Sequence, residues 1–300
     1  MGKFILPFLF AVISNISFAQ KQNCEDKQYP APTLTDSLRK VFEVNLRSAE
    51  KKYNNDNSND ENTIWYGRRL AYMGNYKEAI AIYTKGINLH PNNARFYRHR
   101  GHRYITLRCY DNAIADLKEA IDLIKDQIDE IEEDGIPNAK NFPTSTLHTN
   151  IYYHLGLAYY LKGDNRQALL AWEKCLDIAD NDDMKVATLN WINIALRKMG
   201  RQKDADQHLK DITGEMEIIE NHDYYDILLM YKSGDDSKLV EKTQNQQSVS
   251  NATLGYALGT YYQLKGDKGK ARELFQKVVA GNQWSSFGYI AAETELARMK

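Results

Sequence analysis

Three kinds of residue in this chain recur at a single interval. Gly67 and Gly101 stand 34 positions apart, as do Tyr76 and Tyr110, and Ala79 and Ala113. A fixed period of that length narrows the possible folds sharply. Each unit must be one small element that cannot bury its own apolar face, so neighbouring units have to stack. Within a unit the spacing is helical, with a small residue where a second helix can approach, and the large residue four after the alanine is expected to fill the gap between neighbouring units. The first unit, 60–93, carries Tyr66-Gly67-x-x-Leu70 and then Ala79-x-x-x-Tyr83. The second, 94–127, carries Tyr97-x-x-Arg100-Gly101-x-x-Tyr104 and then Ala113-x-x-x-Leu117.

A third unit beginning near Thr149 reads Tyr152-x-x-Leu155-Gly156-x-x-Tyr159, then Ala168-x-x-x-Trp172. A fourth, from about Val186, keeps Leu189, Leu196, Ala205 and Leu209 but has Asn193 at the glycine position. The last clear unit has Leu258-Gly259-x-x-Tyr262 and Ala271-x-x-x-Phe275. With these motifs the chain resembles the tetratricopeptide repeat (TPR) family. The resemblance implies an all-α, right-handed α-solenoid of antiparallel helix pairs with capping helices. It also implies that the first helix of each pair lines a concave groove in which peptides lie.

The array accounts for residues 60–283, with an insert at 128–148 and a degenerate pair at about 214–250. Residues 20–59 read as a polar segment followed by an amphipathic capping helix (Leu38, Val41, Phe42, Val44, Leu46). Residues 284–300 read as a second cap, which a solenoid needs at its end. Only six prolines occur in the 300 residues, and long stretches rich in Ala, Leu, Lys and Glu agree with an all-helical chain. Residues 1–19 have the form of a cleaved signal peptide. Lys3 precedes an apolar run from Phe4 to Ile13, and Ser17-Phe18-Ala19 is a small-x-small cleavage site. The expected location is therefore the periplasm or exterior of a bacterium, with no stable membrane span after cleavage. The residues before Cys24 do not form a lipobox.

A closer resemblance rests on Trp65-x-Gly67-Arg68-Arg69, the Arg98–Arg103 block, Gly135-Ile136-Pro137-Asn138, Asn181-Asp182-Asp183-Met184 and Ile219-Glu220-Asn221. Together these runs are similar to a family of exported bacterial TPR proteins. They imply an architecture and a location, and no reaction.

With a net charge of −1 the chain has no global attraction for nucleic acid, so electrostatic recognition has to be local. The segment Arg95–Arg108 provides it. Wound as a helix, it places Arg95, Arg98, His99, His102 and Thr106 on one stripe, with Tyr97, Gly101 and Tyr104 opposite. If the first helices face the groove, Trp65, Arg68 and Tyr72 join that stripe from the first unit. Tyr153 and His154 join from the third, and Asn190 and Trp191 from the fourth. Such a basic, aromatic-lined trough suits a carboxylate, a phosphate or an acidic peptide. An interaction scaffold or adaptor of the cell envelope follows. The alternative is a small anionic metabolite bound, or hydrolysed, under the insert acting as a lid.

The acidic run Asp126–Asp134 at the start of the insert is a possible internal partner for the arginines, or simply a solvated face. The insert adds 21 residues to the period, a length that points to function or to order imposed by contacts. His99 and His102 at i and i+3 have a metal-ligand spacing, but flanking arginines oppose a dication, and no cofactor or metal is expected. No catalytic motif is present. The three cysteines are odd in number, and Cys109 and Cys175 read as buried small hydrophobes.

Overall fold

The computed structural model describes Cys24, residues 27–244 and residues 251–299. The expected leader, 1–19, lies outside the described residues. Fourteen α-helices form among those described. α1 (Asp36–Asn55) precedes five paired units: α2 (Asp60–Tyr72) with α3 (Tyr76–Leu89), α4 (Ala94–Thr106) with α5 (Tyr110–Ile124), α6 (Leu147–Lys162) with α7 (Asn165–Ile178), α8 (Asp182–Lys198) with α9 (Gln202–His208), and α10 (His222–Ser233) with α11 (Ser237–Gln244). A last pair, α12 (Asn251–Leu264) and α13 (Lys268–Ala280), is closed by α14 (Phe287–Arg298). None of these helices is long and apolar enough to cross a membrane.

The first helices start where a side-chain oxygen can satisfy an orphan amide. Asn59, Asn93 and Asn181 accept from the backbone of Asn62, Arg95 and Met184, while Thr146 and Thr149 make a reciprocal capping box. The repeat glycines then set the pairing distance. A Cβ at Gly67, Gly156 or Gly259 would enter the ring of Tyr83, Trp172 or Phe275, and one at Gly101 would press on Leu117. The large residue four after each alanine therefore seats on the glycine of its own unit, not between units as the spacing alone suggests. With Asn193 in place of glycine, the fourth unit's second helix has only seven residues and passes into a 3-10 turn, Leu209–Asp211.

Two features depart from an open array. The C-terminal helices fold back over the face made by α4, α6 and α8. The Tyr256 ring of α12 meets Trp191 of α8 at 5.9 Å, and its hydroxyl bonds to that of Tyr160 on α6. Phe287 of α14 covers His102 and His154 at 5.4 and 5.6 Å. The buried carboxylate of Glu295 ties this closure together, taking Lys198 at 2.8 Å, Arg298 at 2.9 Å and Gln263 at 2.9 Å.

The second departure is an N-terminal strap, held by a disulfide between Cys24 and Cys109. Cys109 is thus not the free buried thiol expected; Cys175 is, and burial pushes its thiol up to about 12. Along the strap, Tyr29 stacks on Trp284 at 4.5 Å and Lys27 pairs with Glu293. α1 also differs from expectation. Only Phe42 and Ala49 are buried on it, and Leu38, Val41 and Val44 remain exposed.

Candidate functional site

The insert runs back across the mouth of α2, α4 and α6. Its strand-like stretch pairs with the lead-in to α6 through one antiparallel bridge, Ile131 with Thr146. Ser145 accepts from the Glu132 amide at 3.2 Å, and Glu130 accepts from the Leu147 amide at 2.8 Å. Alternation along an extended chain then turns Glu132 inward and leaves its neighbours outside. Of the acidic run only Glu132 is buried, at 7% exposure; Asp126, Glu130 and Glu133 are exposed.

Glu132 meets Arg98 at 2.9 Å and accepts from Asn150 at 3.1 Å. The carbonyl of Glu133 accepts from Arg68 at 2.6 Å, and that of Gly135 from Arg69 at 2.9 Å. Both guanidiniums lie over the Trp65 ring, at 4.2 and 4.8 Å. Gly135 is packed so closely on the Tyr72 ring that no Cβ would fit. On the far side of the insert, Thr144 donates to Glu220, Asn138 donates to Glu220 at 3.3 Å, and Asn181 donates to the Thr144 carbonyl at 3.1 Å. Asp183, fully buried, accepts the backbone amides of Ile219, Glu220 and Asn221 at 2.8–2.9 Å.

Beneath this cover lies a cavity of about 430 Å3. Three histidines stand in it, and the fold keeps all of them neutral. Burial, reinforced by the surrounding Arg98 and Arg103, holds His99, His102 and His154 well below the ordinary imidazole range. Their tautomers follow from their partners. His99 Nδ1 accepts from Arg98 at 3.1 Å, which leaves the proton on Nε2. His154 Nδ1 donates to the Asn150 carbonyl at 2.6 Å, which leaves Nε2 bare. His102 and His154 lie with ring centres 4.2 Å apart. Among the described residues no group of three His, Cys, Asp or Glu is placed to hold a metal ion. The arrangement offers charge-assisted hydrogen bonds and flat apolar walls, which is the equipment for binding.

A family model for the tetratricopeptide repeat matches residues 65–93 and 149–182, the first and third helix pairs. The chain thus carries tetratricopeptide repeats. Its sequence is 26% identical over 145 residues to rat serine/threonine-protein phosphatase 5, covering 48% of this chain and 25% of the phosphatase. It is 30% identical over 153 residues to the small glutamine-rich tetratricopeptide repeat-containing protein 2 of Saccharomyces cerevisiae, covering 48% of this chain and 38% of that protein. The chain thus spans only a quarter to two-fifths of the length of these relatives. Among solved structures it is similar to YrrB, a TPR protein with an unusual peptide-binding site, at 15% identity and a TM-score of 0.44, covering 83% of this chain and 98% of that one. The repeats support a protein–protein interaction scaffold.

Of the residues expected to line the TPR groove, Arg68, Tyr72, Arg98, His99, His102, Tyr153 and His154 do line one cavity. Arg98 and His99 are buried there, so the basic stripe of α4 is not displayed as its pattern suggests. Trp65 serves as the platform behind two arginines. Arg95 stays at the rim, paired with Glu61 and, at 3.6 Å, with Glu130. Asn190 and Trp191 are elsewhere. Trp191 is 1% exposed, sandwiched near Trp172 and Tyr256, and donates to the Tyr153 hydroxyl at 2.8 Å. The returning α12 covers that part of the groove, which turns a groove residue into a core residue. Sequence reasoning missed Arg103, Glu220 and Phe287 as wall residues. The run Ile219-Glu220-Asn221 was a signal for the second; nothing local marks Phe287.

Proposed function

We propose that this TPR protein is an exported scaffold of the cell envelope that takes an acidic peptide, and that its own insert is a built-in competitor for that peptide. The observation that carries the reading is the seat of Glu132. A carboxylate on an extended backbone is held by Arg98 and Asn150, while Arg68 grips the next carbonyl. An incoming acidic segment needs the same three contacts, each of the charge-assisted kind worth about 1.5–3 kcal/mol. Export is supported by the leader-like residues 1–19 and by the Cys24–Cys109 disulfide, a bond that persists in oxidising compartments.

The test uses a fluorescent peptide of the insert's own sequence, Ile128–Gly135, and anisotropy against the full chain. Glu132→Ala empties the seat, so that variant is expected to bind the peptide more tightly than the native chain. Adding Arg68→Met should remove the gain, and raising salt should weaken binding. A folded Glu132→Ala chain that ignores the peptide would sink the proposal.

A further inference from the structure

With Glu132 seated, the charges around the remaining cavity are not balanced locally. Arg98 is matched by Glu132, and Arg68 by the Glu133 carbonyl and the Trp65 ring. Arg103 lines the same cavity with only the Tyr76 ring against it, at 5.5 Å, and has no carboxylate within ion-pair distance among the described residues. Beside it, His99 Nε2 is buried at 4% exposure without a hydrogen-bond partner, its nearest Glu132 oxygen being 3.6 Å away. The wall made by the insert and the loop before α10 has the opposite defect. Asp134, half-buried, and Glu220, which is exposed and already accepts from Thr144 and Asn138, both line the cavity, and neither has a lysine or arginine within ion-pair distance among the described residues. Burial together with the charge of Glu220 outweighs the opposing charge of Arg68 and keeps the Asp134 carboxyl above its ordinary range.

We infer that this cavity binds a small zwitterion, a free α-amino acid or a dipeptide. Its carboxylate lies on Arg103 and His99 Nε2–H, its ammonium between Asp134 and Glu220, and its side chain against Phe287 and Tyr153. A simple anion would satisfy Arg103 but leave the two carboxylates repelling each other, and a simple cation would do the reverse. Only a molecule carrying both charges relieves both walls, because an unpaired charge in a partly dry site costs more than in water. A volume of about 430 Å3 admits a molecule of that size and not a folded partner. Such a ligand would bridge α4 to the insert. This inference uses the insert in its seated position and does not depend on an acidic peptide displacing it.

The experiment is a thermal-shift screen of the native full chain with the twenty L-amino acids and the glycyl dipeptides, followed by calorimetry on any hit. A ligand that binds only the folded state raises the midpoint. For the hit, the des-amino acid and the decarboxylated amine should each bind at least about tenfold more weakly, the loss expected for one charged hydrogen bond. Asp134→Asn, at a half-buried position, should weaken the parent by a similar factor and leave the des-amino acid unchanged. A screen without a hit overturns the inference. So does a des-amino acid or an amine that equals its parent, or an Asp134→Asn chain that binds the parent normally.

Discussion

Two seams close the mouth of this array, and they are built from different chemistry. The insert seam is ionic: Glu132 on Arg98, backbone carbonyls on Arg68 and Arg69, Thr144 on Glu220. The strap seam is covalent and aromatic. Cys24 is tied to Cys109, Tyr29 stacks on Trp284, and between them Arg108 donates to Glu293 at 2.8 Å and to the Trp284 carbonyl at 2.8 Å. Arg108 does so from a left-handed backbone with φ of 63°, a conformation that costs a non-glycine residue about 1 kcal/mol or more and persists only where surroundings enforce it. The difference has a consequence for function. A buried ion pair gains little over an apolar substitute but is costly when halved, so its occupant can be exchanged for another carboxylate and not simply lost. A disulfide with stacked rings has no such exchange partner. The strap holds the frame, and the insert is the part that a ligand can replace.

The largest expected effect breaks the ionic seam from one side. Glu132→Ala leaves Arg98 buried without its counter-charge and should cost about 3–5 kcal/mol in urea denaturation. The double variant Glu132→Ala with Arg98→Met should recover much of that. A single variant within 1 kcal/mol of native, by the same scale, would show that Glu132 is not seated.

Breaking the covalent seam comes next. The Cys24–Cys109 bond spans 85 positions, and Cys24→Ser should lower stability by about 2–4 kcal/mol, matching the native chain measured in a dithiol reductant.

Acidity then sharpens the contrast, because the histidines sit beside the ionic seam alone. Unfolded imidazoles titrate near 6.5, whereas burial and neighbouring arginines keep His99, His102 and His154 neutral in the fold to well below that. The unfolded chain therefore binds more protons below about pH 6.5. Their contribution is fully present above that value and is lost as pH falls, by about 1.4 kcal/mol per pH unit for each histidine. Melting midpoints should decline from about pH 6.5 downward, and His154→Gln should make the decline shallower.

The smallest effect belongs to the rim. Glu130→Gln removes a half-exposed partner of Arg95 that also has Glu61, and should change stability by less than about 1 kcal/mol.

The repeat units were legible to within a few residues because their signals are local. Asn59, Asn93 and Asn181 mark helix starts, and each repeat glycine faces a large side chain within its own helical hairpin, Tyr83, Leu117, Trp172 or Phe275. In the stretch read as a degenerate pair, α10 ends at Ser233 and α11 starts at Ser237. The candidate site was legible only in part. Arg68, Arg98, His99 and His102 fall on first-helix stripes, so periodicity finds them. Trp191 satisfies the same pattern and is nevertheless core, since the surface that covers it comes from Tyr256 on α12, far along the chain. The five runs behind the closer resemblance are scattered from Trp65 to Asn221, and each contributes to the cavity or to the insert seam that covers it. No spacing rule brings them together.

What the sequence by itself determined is the unit: a 34-residue helical hairpin, repeated, with its small and large residues in register. That much depends on contacts between residues a few turns apart, whose geometry the backbone imposes. Only the tertiary structure decided that the basic stripe is buried, that Glu132 and not its acidic neighbours enters the groove, that Cys109 is bonded, and that α12 and α14 roof the inner face. Those outcomes depend on contacts between distant segments, where many pairings satisfy the same local pattern and the packing of the whole chain selects one.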